Sequence, residues 1–294
     1  MEKSLNNLPL SCKNGGFIFT VAMCLYVLIS FVGQAVLSAV TDVNGCLYIA
    51  VCSLFSIISL LSVTIFYGAK KDSCFRLTRI IKPVKFKHVC IALALALGMF
   101  FGLGFINSLI AKWITDLGLN AGGTQIPLDT FGQFLLFTFT LAILPAIVEE
   151  LFFRGLLLEC FKGVGVYLAI VVNALVFALY HCSVSQFVYQ FIYGVMLGLL
   201  AIKSGSILPC VIAHFFNNFL VIILQYLKVE IDLFNPLFII IGLVVTVVCF
   251  LLLVRNNRHE ENSRNNRELL DFFVPVGTFG IIICVTLIVG ALTV

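Results

Sequence analysis

An all-α, polytopic transmembrane helix bundle of about eight to nine spans is the fold class this sequence predicts, on three observations. Of 294 residues, 61% are apolar and only 11% are charged, under half the charged share of an ordinary soluble domain. The apolar residues gather into nine runs, each near the roughly 20 residues a helix needs to cross the hydrocarbon layer. The Lys and Arg residues between those runs fall almost all on one side of the alternation. This composition excludes a water-soluble globular protein, a disordered chain and a disulfide-stapled secreted module. A net charge of +4 is too small to argue for nucleic acid as a partner. Membrane lipid is the expected surrounding.

The runs are 16–40, 46–68, 88–112, 131–156, 164–184, 186–203, 207–227, 235–254 and 272–294. The first is too long for a cleavable signal core of ~7–15 residues. The second ends in a basic loop, 69–88. The third carries Gly98 and Gly102, and the sixth Gly194 and Gly198, two small-xxx-small pairs that let helix backbones approach closely in lipid. The fourth contains Pro145, Glu149, Glu150 and Arg154. The fifth ends at His181, with only a short polar join before the sixth. The seventh carries His214, Asn217 and Asn218 near its middle. A hairpin of mixed charge, 255–271, separates the eighth from the ninth. With no internal repeat and no soluble segment, the whole chain, 1–294, reads as one membrane domain. The eleven cysteines have no CxxC spacing and mostly lie inside apolar runs, as small packing residues. Cys182 stands apart only because it adjoins His181.

Charge sets the orientation. With the N-terminus in the cytoplasm, 16 of the 18 basic residues fall on the cytoplasmic side. They are Lys3 and Lys13, seven in the 69–88 loop, Arg154, Lys162 and Lys203, and Arg255, Arg258, Arg264 and Arg267. Only Lys112 and Lys228 fall on the other side. That bias predicts a multi-pass cell-membrane protein with its N-terminus inside and its C-terminus outside. The 69–88 loop is also a candidate anionic-lipid site.

The informative residues are polar ones placed in apolar helices, where each ionised group costs roughly 2.5–3.5 kcal/mol to insert. Glu150 and Arg154 stand i,i+4 with the acid first, the favourable order for a helical ion pair. Arg154 reads alternatively as the cytoplasmic flank of its span. Glu149 points about 100° round the helix and has no partner there. His214 and Asn218 leave their helix on one face, and Phe177 stacks i,i+4 on His181. Pro145, four residues before Glu149, removes a backbone hydrogen bond and bends the helix, which helps to open a cavity. Together these groups suit hydrolysis. Glu149 is placed to take a proton from water. Glu149, His181 and His214 form a donor set that holds catalytic zinc with a position open for water. Asn218 is a donor for a developing oxyanion. Taken one at a time, each has a plain structural alternative: a satisfied buried acid, a helix-end histidine, or an interhelical His–Asn pair.

Three motifs then carry a resemblance. EELFFR (149–154), FALYH (177–181) and HFFNN (214–218) resemble, in order, the EExxxR, FxxxH and HxxxN motifs of the CPBP intramembrane proteases. That group includes the type II CAAX prenyl proteases and the bacterial Abi proteins. The likeness covers about 131–227, which would be the catalytic core. It implies a helix bundle around a polar cavity and hydrolysis of a peptide bond in a membrane-associated peptide or protein. It implies Glu149 as the residue that activates water, with Glu150, Arg154, His181, His214 and Asn218 in the same site. Zinc is the cofactor usually suggested for the family, yet nothing here has HExxH spacing. Peptide maturation or bacteriocin immunity is the expected biological setting. A proton-coupled transporter and a non-catalytic immunity or scaffold protein are the alternatives. One arithmetic conflict stands. With span 4 ending at 156, Glu149 and His181 differ in depth by roughly 15–20 Å at 1.5 Å per residue, which points to a misplaced boundary or a re-entrant join around 156–166.

Overall fold

The computed structural model describes residues 11–43, 45–70, 83–121, 126–161, 164–255 and 266–293. Among them there are helices and no strands, so the chain is an all-α polytopic bundle. The helices are α1 (Cys12–Ser38), α2 (Cys46–Lys70), α3 (Phe86–Asp116), α4 (Phe131–Cys160), α5 (Val166–Tyr180), α6 (Val184–Ser204), α7 (Leu208–Tyr226), α8 (Pro236–Val254) and α9 (Thr278–Thr293). Short 3₁₀ and π turns over 266–277 lead into α9. Lys3, Lys71, Arg76, Arg79, Lys82, Lys162, Arg258 and Arg264, and with them most of the candidate lipid-binding loop, lie outside the described residues.

Among the described residues, seven helices are long and apolar enough to cross a membrane, which makes this a multi-pass membrane protein. Two of the nine expected spans are shorter than drawn. At 15 residues, α5 is about 22 Å long. It stops where Cys182 takes a left-handed φ of 48°. The ninth run is interrupted at Val274, which is extended (φ −105°, ψ 127°), as the residue before a proline prefers to be. The helix restarts at Thr278.

Two packed groups meet at α4 and along the contact of α5 with α6. In one, α1, α2, α5 and the 272–293 segment enclose an aromatic core of Phe19, Phe152, Phe153, Phe161, Phe177 and Phe272. In the other, α3, α6, α7 and α8 share a core of Leu95, Met99, Leu197, Ala213 and Leu253. α8 shows how lipid inverts the usual pattern. Gly242, Thr246, Cys249 and Leu253 face inward, while Leu237, Ile240, Ile241, Val244, Val248 and Leu251 are exposed. Small residues allow close packing, and large apolar ones meet hydrocarbon. A Cβ on Gly102 would stand 2.6 Å from the Gly242 carbonyl carbon, so α3 and α8 touch backbone to backbone there. Gly98 packs against Thr246, and Gly194 and Gly198 against Ala174 and Ile170 of α5, so both small-residue pairs lie at helix contacts.

Candidate active site

The site begins with a helix that cannot stay regular. Pro145 has no amide hydrogen for the carbonyl four residues back, Leu141. Around it α4 widens into π turns, Thr138–Ile143 before the carboxylates and Leu151–Leu157 after them. Such turns free backbone groups and mark functional sites more often than chance. Both are claimed from neighbouring helices. Asn218 Nδ2 donates to the Leu141 carbonyl at 3.2 Å, and Asn173 Nδ2 donates to the Phe153 carbonyl at 2.9 Å.

Glu150 is the hub of the buried charge. Its Oε1 accepts from Arg154 Nη1 at 2.9 Å and from His214 Nδ1 at 2.9 Å. Arg154 also donates from Nη2 to the Gly194 carbonyl at 3.2 Å, and its guanidinium carbon lies 4.3 Å from the Phe177 ring centroid. Glu150 is fully buried and Arg154 is 2% exposed. The alternative of Arg154 as a cytoplasmic flank is therefore corrected: it is a core residue that ties α4 to α6.

Glu149 is different. It is buried, its Oε2 has no hydrogen-bond partner, and that oxygen lies 3.9 Å from His181 Nε2 and 3.9 Å from His214 Nε2. His181 Nδ1 donates to the Phe177 carbonyl at 2.8 Å. Both histidines thus bond through Nδ1 to groups that only accept, the Phe177 carbonyl and the Glu150 carboxylate. In their neutral forms both leave Nε2 as a bare lone pair. Three acceptors then converge with no donor between them. Phe177 packs edge-on against both rings, with centroids 4.6 Å from His181 and 6.0 Å from His214.

The expected depth gap is not present, because the boundary near 156 was misplaced. α4 runs on to Cys160 and α5 starts at Val166. At 1.5 Å per residue, Glu149 is then about 16 Å and His181 about 22 Å from that shared end, a difference of roughly 6 Å that side chains close.

Among the described residues no group of three His, Cys, Asp or Glu side chains is arranged to hold a metal ion. The zinc set expected of Glu149, His181 and His214 falls wide: both oxygen-to-nitrogen separations are 3.9 Å, against edges of roughly 3.4 Å for tetrahedral zinc with ~2.1 Å bonds. The three residues do not fit the ion as they stand. They do fit a water molecule, which hydrogen-bonds at about 2.8 Å.

Sequence reasoning overlooked part of the wall. Tyr189 OH donates to Asn217 Oδ1 at 2.5 Å, and Asn217 Nδ2 to Asn218 Oδ1 at 3.4 Å. Asn217 has no role in the sequence reading beyond its place beside Asn218. It is also i+3 from His214, and that shared face is the signal. Tyr193, four residues after Tyr189, has a buried hydroxyl without a partner and a ring 6.2 Å from His214. A cavity of about 480 Å³ leads to this wall, lined by Asn107, Gln186, Tyr189, Asn217, Asn218 and Gln225 among others.

Residues 131–220 match the family described as type II CAAX prenyl endopeptidase Rce1-like. No curated protein and no solved structure matches the chain. The matched segment runs from the start of α4 through the Asn217–Asn218 pair of α7, the stretch that supplies every residue named in the carboxylate–histidine cluster. Over those residues the chain is similar to the CPBP/CAAX proteases.

Proposed function

We propose that the protein is an intramembrane endopeptidase in which Glu149 activates water. One observation carries this reading: the buried, partnerless Glu149 Oε2 facing two histidine Nε2 atoms, each at 3.9 Å. A water held there donates one hydrogen to Glu149 and the other to an Nε2. As its oxygen attacks a peptide carbonyl carbon, Glu149 takes the first proton. The C–N bond then breaks, Glu149 returns that proton to the leaving amine, and the water oxygen remains in the new carboxyl group. The tetrahedral oxyanion needs a donor. Asn218 gives one amide hydrogen to Leu141 and keeps a second. Glu150 and Arg154 act by position. The carboxylate fixes the His214 ring, and the guanidinium fixes the carboxylate.

The substrate is a membrane-associated peptide or protein, and maturation of a small peptide or bacteriocin immunity is the setting in which such an activity serves a cell. The transporter and scaffold alternatives have no observation in their favour. The test is cleavage of a peptide mixture by the purified protein in H₂¹⁸O, for the wild type and Glu149→Gln. One ¹⁸O in each new C-terminus, with a rate about 10²–10⁴-fold lower in the variant, supports general-base hydrolysis. Cleavage that survives the substitution contradicts it.

A further inference from the structure

The 480 Å³ cavity has a direction. Its lining comes from the C-terminal parts of α3 and α7 (Gly104, Asn107, Gln225), the N-terminal turn of α6 (Gln186) and the 227–235 connection. These ends are tied together. Gln225 Nε2 donates to the Ile126 carbonyl at 3.1 Å, and Ser185 Oγ to the Ala121 carbonyl at 3.3 Å. The opposite end of the bundle holds Lys13, Lys85, Lys87, Lys203 and Arg255, where the Lys203 ammonium donates to the Arg255 carbonyl. A smaller cavity of about 150 Å³ at that end reaches Arg154. Its lining includes Arg154 but neither Asn217 nor Asn218. The large cavity therefore leads to the Asn217–Asn218 wall, beside His214 on α7, from the end of the bundle that is poor in Lys and Arg.

That end is acidic. Asp42, Asp116, Asp129, Glu230 and Asp232 are exposed there, against Lys112 and Lys228. Glu230 and Asp232 alternate with cavity-lining Val229, Ile231 and Leu233, so both lie on the segment that borders the cavity, with Asp232 Oδ1 accepting from the Phe234 amide at 3.0 Å. Within it, Gln186, Gln190, Gln225, Asn107 and the Asn217–Asn218 pair present amides, and the Asn107 side-chain oxygen is buried with no partner. Amides can both donate to and accept from a peptide backbone. Focused negative charge at the mouth favours cations.

We infer that the site takes a polar, cationic peptide segment presented at the membrane face opposite the basic loops, which is the outer face if the Lys and Arg bias sets orientation. The inference rests on the endopeptidase reading and adds the side of access and the charge of the substrate. Sealed vesicles carrying the full chain in either orientation test it. Orientation is read from an N-terminal tag, since α1 begins at the basic end, where Cys12 Sγ contacts the Cys160 carbonyl. The probes are two sets of water-soluble quenched peptides sharing one core, flanked by lysines or by glutamates. The lysine-flanked set should be cut while the tagged end faces the vesicle interior, and in the other orientation only after detergent is added. Glu230→Gln with Asp232→Asn should raise KM for that set by about three- to tenfold at low salt, with kcat held, and the difference should shrink in about 0.5 M salt. Cleavage confined to vesicles with the tagged end outward would overturn the side of access. Equal cutting of both peptide sets, unmoved by the double variant, would overturn the charge preference. No cleavage of any peptide even in detergent would instead overturn the endopeptidase reading, and this inference with it.

Discussion

Two adjacent glutamates on one helix turn have different surroundings, and substitutions should separate them. Glu149 has no bonding partner for Oε2, so Glu149→Gln should leave the fold intact and slow hydrolysis by about 10²–10⁴-fold. Glu150 holds Arg154 and His214 at once. Arg154→Ala would leave the Glu150 carboxylate buried without its arginine countercharge, at a cost of about 3–5 kcal/mol. A thermal melt in detergent should show a large loss for Arg154→Ala and a smaller one for Glu150→Gln with Arg154→Met, where no lone charge remains. Loss of equal size in both would mean that the pair acts through packing alone. At this scale the sequence was informative because buried charge in an apolar helix is rare and i,i+4 spacing names its partner. It was silent on His214 bonding Glu150, a contact across 64 positions. It also overlooked Tyr189, whose hydroxyl acquires meaning only against Asn217 on another helix.

At the scale of elements, the irregular stretches of α4 do the positioning. Pro145→Ala would restore an amide hydrogen for the Leu141 carbonyl and compete with Asn218 for it. The helix should be no less stable, and activity should fall by up to about 10²-fold, as misplacement of a reacting group by about 1 Å can cause. A variant with the wild-type rate would show that the Asn218–Leu141 bond is dispensable. Proline was visible in the sequence as a source of bending. The π turns on either side were not, because they depend on donors from α5 and α7. Helix ends were read to within a few residues for most runs. The four extra residues of α4 mattered most, since they removed the depth conflict between Glu149 and His181. The Gly102 contact was anticipated, but its partner Gly242 was not. Gly242→Val would press a side chain into the α3 backbone, 2.2 Å from Gly102 nitrogen for the first carbon alone. It should lower stability by about 1–3 kcal/mol or more, with the melting midpoint as the readout.

The molecule as a whole is a multi-pass bundle in which two packed groups meet at the irregular α4 and along the α5–α6 contact. Composition and run length sufficed for that class, because lipid admits few alternatives to helices. Which side the cavity faces required the folded chain, since the lining comes from three separated stretches. The central claim is that Glu149 makes this bundle a peptidase. Its most direct test is a quantitative mass-spectrometric profile of peptides from cells expressing the wild type or Glu149→Gln at equal levels. The account predicts a defined set of cleaved peptides that vanishes in the variant while their uncut precursors accumulate. Identical profiles, under conditions where the wild type has its phenotype, would contradict it.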